Sequence, residues 1–249
     1  MKTKDVIKLE KISTEAPENA DKKRLKKETE KYIARIDELQ NIMYAQSKHS
    51  LLVVLQGLDA AGKDGLIRSV FSDVNPSGCR VHPFKVPTAE EAAHDFLWRV
   101  HAQTPPKGFI QIFNRSHYED VLSPKVNKII DKDTCHKRYG HINNFEQMLV
   151  DENNTLILKF YLHISHKEQH KRLEERQNNP AKHWKYSNAD IKVSTQWDDY
   201  MKAYQDIFDH CNAPVPWHIV PADHNWYKDY YVAKTIVEAM EALNLKYPK

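Results

Sequence analysis

The residues with the clearest capacity for chemistry form a glycine-rich loop, Gly57-Leu58-Asp59-Ala60-Ala61-Gly62-Lys63-Asp64-Gly65. The loop fits the pattern G-x-x-x-x-G-K and directly follows an apolar run at residues 51–55. Between a strand and a helix, such glycines let backbone N–H groups approach phosphate oxygens, the helix presents its positive N-terminal end, and the lysine adds a full charge. We therefore predict phosphate binding by Gly57, Ala60, Ala61, Gly62, Lys63, Asp64 and Gly65, with a structural glycine turn as the alternative.

This loop carries carboxylates at positions that bear on metal binding. Position 64 is Asp, where Ser or Thr ordinarily gives a hydroxyl to Mg²⁺. Asp59 lies among the amides that are expected to bind phosphate, where a carboxylate repels phosphate unless a metal ion bridges the two. We expect Asp59 to hold Mg²⁺ between phosphates. The alternative is that Asp59 is a solvated turn residue.

A second polar segment, at residues 113–120, follows another apolar run, at residues 109–112. In open α/β sheets, the residues that contact a ligand lie just past the carboxyl ends of strands. Here Asn114, Arg115 and Ser116 arrive together at such an end. Arg115 can bind phosphoryl oxygens through two parallel hydrogen bonds, which a lysine cannot do. The segment therefore predicts a second part of the site, with ordinary loop polarity as the alternative.

The elements that position these residues follow from hydrophobic periodicity. Strands are predicted from short apolar runs at residues 51–55, 79–84, 109–113, 155–164 and 217–220. Helical spacing is found at residues 89–101, 143–150 and 167–177. Strands that alternate with helices predict an α/β fold with a parallel sheet and helices on both faces. We expect a single domain over residues 1–249, with a flexible arm at 1–19, an amphipathic helix at 20–48 and a helical lid at about 167–210.

The composition limits the class of protein. The chain has 37 Lys and Arg against 34 Asp and Glu, a formal net charge of +3, and 41% apolar residues. These values are typical of a soluble globular protein and exclude a histone-like polycation. Three widely spaced cysteines without a CxxC pair predict reduced thiols and a cytoplasmic location. No apolar run is long enough for a membrane span, and the modest charge argues against binding of nucleic acid.

Six further segments carry a family resemblance. They are Phe-Lys-Val-Pro-Thr at 84–88, His-Asp-Phe-Leu-Trp-Arg at 94–99, Phe-Asn-Arg-Ser-His-Tyr-Glu-Asp-Val at 113–121, Ile-Asn-Asn-Phe-Glu at 142–146, Leu-Lys-Phe-Tyr-Leu-His-Ile-Ser at 158–165 and Trp-Lys-Tyr-Ser at 184–187. With the glycine-rich loop, they resemble the polyphosphate kinase 2 family from about residue 51 to the C-terminus. The form Asn-Arg-Ser-His-Tyr-Glu is similar to the subgroup that phosphorylates both nucleoside mono- and diphosphates.

The resemblance implies a P-loop kinase fold similar to thymidylate kinase, with inorganic polyphosphate as donor, AMP and ADP as acceptors, and Mg²⁺ as cofactor. It also implies a dimer or a tetramer. By motif, Asp59 matches the family's catalytic, metal-binding aspartate and Lys63 its phosphate-binding lysine. Arg115 matches the arginine on the transferring phosphates, and Arg176 matches the lid arginine. Asn114 occupies a catalytic position that is Asp in other members.

These observations predict a polyphosphate-dependent nucleotide phosphotransferase. Because polyphosphate is a long polyanion, it needs a basic channel, which Lys125 and the basic residues after it could line. Val86 and Pro87 are candidates for contact with the nucleotide base. An ATP-dependent nucleoside monophosphate kinase is the second interpretation, since it uses the same loop and lid. A non-enzymatic P-loop binding module is the third.

Overall fold

A five-stranded parallel sheet organises the chain. The computed structural model describes residues 6–179 and 195–248. The strands are β1 (Ser50–Gln56), β2 (Cys79–Pro83), β3 (Ile110–Asn114), β4 (Thr155–His163) and β5 (Trp217–Pro221). They lie in the order β2-β3-β1-β4-β5, and every neighbouring pair is parallel. The predictions of a parallel sheet and of its five strands are confirmed.

Helices connect the strands within the described residues. They are α1 (Lys22–Gln46), α2 (Lys63–Val70), α3 (Ala89–Ala93), α4 (Trp98–His101), α5 (Glu119–Val126), α6 (Lys132–Asn153), α7 (His166–Asn178), α8 (Trp197–Cys211) and α9 (Asn225–Glu241). A short 3₁₀ helix covers Leu9–Lys11. The motif at 184–187 and part of the predicted lid lie outside the described residues. No helix in the described ranges is long and apolar enough to cross a membrane.

The central strand β1 is buried on both faces, as its continuous apolar run predicts. Leu52 and Val54 face one core cluster, which contains residues of α5, α6 and α8. Leu51, Val53 and Leu55 face the other, which contains residues of α1, α2 and α9. Side chains alternate between the two faces of a strand, so a strand covered on both sides favours apolar residues at successive positions. The prediction of helices on both faces is confirmed.

The amphipathic helix α1 begins and ends at local signals. The Asp21 carboxylate accepts hydrogen bonds from the backbone N–H groups of Lys23 (2.9 Å) and Arg24 (3.0 Å), which caps the N-terminus. Ser47 adopts a left-handed conformation at the C-terminus. Between them, α1 buries an apolar stripe that includes Ile36 and packs in the same core cluster as α9.

Part of the segment that we predicted as a flexible arm is fastened to the body. Leu9 is buried, and its N–H donates to Gln205 Oε1 of α8 at 2.9 Å. The same amide donates back from Nε2 to Ile7 O at 2.7 Å. Further along, Thr14 Oγ1 donates to Asp223 Oδ2 at 2.8 Å. The sequence of this segment did not predict these contacts, because most of them are made by backbone groups, which every residue type has.

The prediction of one continuous helix at residues 89–101 is wrong. The chain forms two short helices, α3 and α4, with an interruption at residues 94–97. Thr88 and Glu91 form a capping box at the start of α3. The Asp95 side chain accepts a hydrogen bond from the N–H of Leu97 at 3.0 Å. Such local bonding by an aspartate competes with helical bonding, so it favours a break.

The predicted lid region divides into parts with different packing. Helix α7 starts directly after β4, and α8 ends shortly before β5. The face of α8 that carries Tyr204, Ile207 and Phe208 belongs to the main core cluster. A helix buried in this way is part of the packed core, so α8 does not fit the predicted lid, and the assignment of α7 to a lid stays a prediction.

Candidate active site

The glycine-rich loop directly follows β1 and turns sharply into α2. Gly57 and Gly62 have φ angles of 154° and 97°. A Cβ at Gly57 would lie 3.0 Å from the carbonyl oxygen of Leu162 in β4, so this position requires glycine both for conformation and for space. Around Gly65, by contrast, a Cβ would meet no atom within 4 Å. Space alone therefore does not require glycine at position 65.

Helix α2 presents its N-terminus to this loop. The first helical hydrogen bond runs from the N–H of Leu66 to the carbonyl of Gly62 at 3.0 Å. The N–H groups of the first turn, at Lys63, Asp64 and Gly65, have no acceptor inside a helix. Such N–H groups, with the positive end of the helix dipole, form an anion site. The geometry thus fits the predicted phosphate-binding loop.

Lys63 is buried beneath the loop. Its Nζ donates to the carbonyl oxygens of Gly57 (2.6 Å) and Leu58 (3.2 Å). Burial, together with the nearby positive charge of Arg115, lowers the pKa of the Lys63 ammonium to about 8, although Asp59, Glu119 and Asp64 oppose the shift. An anionic phosphate beside Lys63 would favour the charged form of this group.

Arg115 lies at the carboxyl end of β3, next to the loop. The register places Asn114 opposite Leu55 of β1, and the N–H of Arg115 donates to the Leu55 carbonyl at 3.1 Å. The guanidinium bonds the Asp59 carboxylate, and its other nitrogen lies 3.5 Å from Glu119 Oε2. Burial raises the pKa of the Glu119 carboxyl, and Arg115 opposes that rise. Asp59 and Glu119 are therefore held together by one shared cation.

Asn114 contacts the loop from the same strand end. Its Nδ2 donates to Asp64 Oδ1 at 2.9 Å. The Asn114 amide thus bonds Asp64, which lies at the loop position where Ser or Thr ordinarily provides a hydroxyl. An aspartate at position 114 would put two carboxylates at this distance, and they would repel each other. The neutral amide and Asp64 are therefore a matched pair.

Three side chains that the sequence analysis did not assign hold the carbonyl side of the loop. From α7, Arg172 Nη1 donates to the carbonyls of Ala60 (3.1 Å) and Ala61 (3.3 Å), and Gln169 Nε2 donates to that of Asp59 (3.1 Å). From α9, Lys228 Nζ donates to the Gly62 carbonyl at 3.2 Å. These bonds fix the loop backbone, with its carbonyl oxygens directed toward α7 and α9.

Arg172 also joins the loop to the end of β5. Its Nη2 donates to the carbonyls of Ala222 and Asp223, both at 2.9 Å, and its Nε donates to Glu168 at 2.9 Å. The Arg172 guanidinium of α7 therefore connects the loop after β1 to the residues after β5. Sequence reasoning missed this role because backbone carbonyls leave no signal in side-chain types. Glu119 could have been found, since it stands at i+4 from Arg115 across a helix start.

The other predicted site residues lie further from this centre. The Lys125 ammonium bonds Asp206 of α8 and lies 3.4 Å from the Tyr139 hydroxyl. Val86 and Pro87 are exposed beyond β2, which β3 separates from β1. Arg176 lies in the last turn of α7. The structure brings together Asp59, Lys63, Asp64, Asn114 and Arg115, and the roles of the remaining residues stay predictions.

A cleft of about 790 Å³ lies beside the loop, between α1, α7 and the start of α9. Its charged lining residues are Lys22, Lys26, Glu30, Glu168, Arg172, Asp223, His224 and Asp229. The four carboxylates outnumber the three permanent cations, so the cleft does not attract a polyanion. We assign no phosphate binding to it.

The site contains oxygen donors that suit a hard divalent cation. Asp59, Asp64 and Glu119 are near enough to Lys63 to act on its pKa. Mg²⁺ in phosphoryl-transfer sites is bound by one or two carboxylates together with phosphate oxygens. No group of three or more His, Cys, Asp or Glu side chains forms a preformed metal cage among residues 6–179 and 195–248. Asp59, Asp64 and Glu119 are thus the carboxylates here that could hold a divalent cation together with phosphate oxygens.

These features define a P-loop phosphotransferase. The sheet is parallel, and the phosphate loop follows its central strand. A lysine and an arginine meet at that loop. The chain belongs to the polyphosphate kinase 2 family, whose sequence model matches residues 19–248. The predicted family and enzyme class are confirmed, and the non-enzymatic binding module is not supported.

Known proteins agree with this assignment. The chain is 50% identical over 216 residues to an AMP/ADP-polyphosphate phosphotransferase of Meiothermus ruber, covering 86% of this chain and 80% of the relative. It is 43% identical to an ADP-polyphosphate phosphotransferase of Rhodopseudomonas palustris, covering 87% and 79%. The crystal structure of a polyphosphate kinase 2 from Arthrobacter aurescens superposes with a TM-score of 0.94 at 38% identity, covering 98% of this chain and 88% of that one.

Proposed function

We propose that this protein transfers the terminal phosphoryl group of inorganic polyphosphate to AMP and to ADP, with Mg²⁺ as cofactor. The observation that carries the proposal is the Arg115 guanidinium shared between Asp59 and Glu119 at the mouth of the phosphate loop. A cation held between two carboxylates can exchange one of them for phosphate oxygens. Both relatives described above are polyphosphate phosphotransferases, which supports polyphosphate as the donor.

Binding of the donor uses groups that the fold has already oriented. The first-turn N–H groups of α2 donate to oxygens of the terminal phosphates, and Lys63 adds a positive charge from beneath the loop. Arg172 and Gln169 hold the loop carbonyls on the opposite side. Because the loop is fixed before the donor arrives, little ordering is required when the donor binds.

The transfer itself needs no protein nucleophile. A phosphate oxygen of AMP or ADP attacks the terminal phosphorus of polyphosphate, and the bond from that phosphorus to the bridging oxygen breaks. The bonding electrons remain on the chain, which leaves one unit shorter, and the acceptor gains one phosphoryl group. Lys63 and Arg115 stabilise the charge on the transferring oxygens, which is the main requirement of phosphoryl transfer.

Asp59 is the residue we propose to hold Mg²⁺, with Asp64 and Glu119 nearby. When bound, the ion neutralises phosphate charge that the two basic side chains do not reach. The Arg115 guanidinium forms a salt bridge with the Asp59 carboxylate in the structure. Movement of the guanidinium onto phosphate would therefore free Asp59 at the moment when the phosphate oxygens are present.

Acceptance of both AMP and ADP is supported by Asn114. A neutral amide at this strand end removes a unit charge beside the acceptor phosphates, so a longer and more anionic acceptor is penalised less. We expect the kcat/KM values for AMP and ADP to agree within about 10³, which corresponds to roughly 4 kcal/mol of discrimination. A larger ratio would identify a single-acceptor enzyme.

We also propose a cytoplasmic dimer or tetramer. Strand β2 lies at the edge of the sheet, with β3 as its neighbour. Val81 on this strand is 47% exposed, and two apolar residues that follow the strand, Val86 and Trp98, are 89% and 43% exposed. Exposed strand edges with apolar side chains are surfaces that proteins commonly cover. All three cysteines are free thiols, in keeping with a reducing compartment. Light scattering on the purified protein tests the assembly.

Product analysis tests the reaction. Purified protein is incubated with AMP or ADP, with polyphosphate or ATP as donor, and with Mg²⁺ or excess EDTA, and the nucleotides are separated by ion-exchange chromatography. We expect ATP from ADP and polyphosphate with Mg²⁺, and none with EDTA. If ATP phosphorylates AMP efficiently while polyphosphate is inert, the protein is an ATP-dependent nucleoside monophosphate kinase and the proposal fails.

A matched pair of variants isolates the proposed metal residue. Asp59→Asn should lower kcat by about 10³-fold, because one charged group of a phosphoryl-transfer site is removed. Asp21→Asn is the control, since the same chemical change at the N-cap of α1 retains a good capping residue. Near-normal turnover in a folded Asp59→Asn protein would remove Asp59 from the metal site.

A further inference from the structure

Two sequence segments with no part in the proposed mechanism meet beneath the active site. Glu146 ends the segment 142–146 on α6, and Lys159 belongs to the segment 158–165 on β4. Both are completely buried, as are His117 and Tyr118, which follow Arg115 in the chain. The structure therefore joins three separate segments at one buried polar cluster, made of His117, Tyr118, Glu146 and Lys159.

Every donor of the Lys159 ammonium is used in this cluster. Its Nζ donates to Glu146 Oε2 at 2.7 Å, to Tyr118 Oη at 2.9 Å and to the carbonyl of Cys211 at 2.8 Å. The second oxygen of Glu146 accepts from Tyr118 Oη at 2.8 Å and lies 3.2 Å from His117 Nε2. Two consecutive residues of the turn after Arg115 are thus bonded to one carboxylate.

The charges of the cluster are balanced despite complete burial. Burial raises the pKa of a carboxyl group, but Lys159 and His117 lower the pKa of Glu146 below its ordinary value. A buried ion pair is weak evidence for stability, because loss of hydration offsets the attraction. What such a pair does impose is geometry, since each charged group has few positions in which it is satisfied.

The geometry imposed here is that of the turn carrying Arg115. Arg115 has a φ of 64°, in the left-handed region that an L side chain seldom adopts. Strained residues of this kind persist where the surrounding structure holds them, and they occur often at functional sites. The cluster fixes the residues directly after Arg115, and the Leu55 carbonyl bonds its N–H.

A buried glutamine supports the same turn from β1. In the orientation that satisfies both ends of its amide, Gln56 Nε2 donates to Glu119 Oε1 at 2.9 Å, and Gln56 Oε1 accepts from the Ser116 N–H at 3.1 Å. The turn is therefore bonded on one side by Gln56 and on the other by the cluster. Arg115 begins this turn, and its guanidinium contacts the carboxylates of Asp59 and Glu119.

We propose that Glu146 and Lys159 are positioning residues that act through Arg115: the cluster holds the strained turn so that the guanidinium meets the transferring phosphates. This inference rests on the proposed function for its substrate. Neither residue touches substrate or metal in this role. A misplacement of about 1 Å in a catalytic group can lower turnover by roughly 10²-fold, so a buried bond two residues away is sufficient to control the rate.

The test is a mutant cycle with Arg115. Glu146→Gln removes the charge and keeps the shape of the side chain. Tyr118→Phe removes one hydroxyl and keeps the ring. This second variant changes no charge, so it serves as the test if Glu146→Gln does not fold. Each is made in the wild-type and in the Arg115→Ala background. We measure kcat for transfer from polyphosphate to ADP, the affinity for polyphosphate with Mg²⁺ by calorimetry, and the melting temperature.

Thr155→Val is the matched control. It removes a hydroxyl that is buried on the same strand, 3.0 Å from Ser50 Oγ and at the opposite end from the site. We expect this variant to lower the melting temperature without lowering kcat. Glu146→Gln and Tyr118→Phe should lower kcat by about 10-fold to 100-fold at temperatures where they are fully folded.

The Arg115→Ala background decides the mechanism. If the cluster acts through Arg115, adding Glu146→Gln or Tyr118→Phe to Arg115→Ala changes neither kcat nor polyphosphate affinity. Equal losses in both backgrounds would overturn the inference while the proposed function stands. Polyphosphate binding with this coupling, but without transfer, supports the inference and contradicts the proposed function. Absence of polyphosphate binding in the wild-type protein overturns both.

Discussion

The protonation of Lys63 should set an upper pH limit for binding of polyphosphate. Its ammonium is buried against two loop carbonyls, and burial lowers its pKa to about 8. Above that pH, Lys63 of the free enzyme loses its charge, and the loop loses the attraction of this ammonium for phosphate. Since phosphate favours the charged form, raising the pH through 8 must weaken binding.

The size of the effect follows from this value. With a pKa of about 8, the charged fraction falls from about 0.76 at pH 7.5 to about 0.03 at pH 9.5. The kcat/KM for polyphosphate, which reports groups of the free enzyme, should therefore fall about 25-fold over this range. The kcat at saturating polyphosphate should hold to higher pH, because bound phosphate raises the pKa of the ammonium.

Initial rates of ATP formation, measured against polyphosphate concentration at saturating ADP, test this expectation. Lys63→Arg is the control, since a guanidinium stays charged over the whole range and should give a flat profile. If arginine does not support turnover, binding of polyphosphate is measured by calorimetry at the same pH values. A flat wild-type profile, or the same fall in both proteins, would refute the role assigned to Lys63.

Three further outcomes are expected. Lys63→Met should abolish transfer and leave the melting temperature at pH 7 unchanged or higher, because burial of an ammonium is unfavourable; a clear fall in melting temperature would contradict this. Arg99→Met should lower the free energy of unfolding, measured in urea, by about 3–5 kcal/mol, because a buried carboxylate then loses its partner. In the wild-type protein, Arg99 Nη2 donates to Asp120 Oδ1 at 3.1 Å and to Asp120 Oδ2 at 2.9 Å. Asn114→Asp should weaken transfer at low Mg²⁺ and regain it at high Mg²⁺, because two carboxylates then face each other; a response that is independent of Mg²⁺ would count against this pairing with Asp64.

Local sequence was sufficient for the strands and for the phosphate loop. The apolar run at 51–55 specifies a strand that is buried on both faces, because a strand with one face in water would alternate polar and apolar residues. The glycines at 57 and 62 mark positive φ angles, which the structure contains. These signals lie within a few residues of the feature that they predict, so no knowledge of distant contacts is needed to read them.

The same approach failed where local bonding competes with periodicity. Residues 89–101 have helical spacing, yet the chain forms two short helices around Asp95. The side chain of Asp95 accepts a hydrogen bond from the N–H of Leu97, and Arg99 bonds Asp120, which lies on α5. A hydrophobic pattern records which face is buried, and it does not record such alternatives.

The sheet, the loop and the family could be inferred from residue types and spacing alone, which also identified Asp59, Lys63 and Arg115 as candidates. The partners of these residues depend on how distant elements pack. Arg172 reaches the Ala60 carbonyl across 112 positions of sequence, and Lys159 reaches Tyr118 across 41. Such contacts depend on the strand order, which places β4 and β3 on either side of β1. Periodicity fixes the face of each element, whereas the bonds that hold a catalytic turn arise when faces from distant elements are packed together.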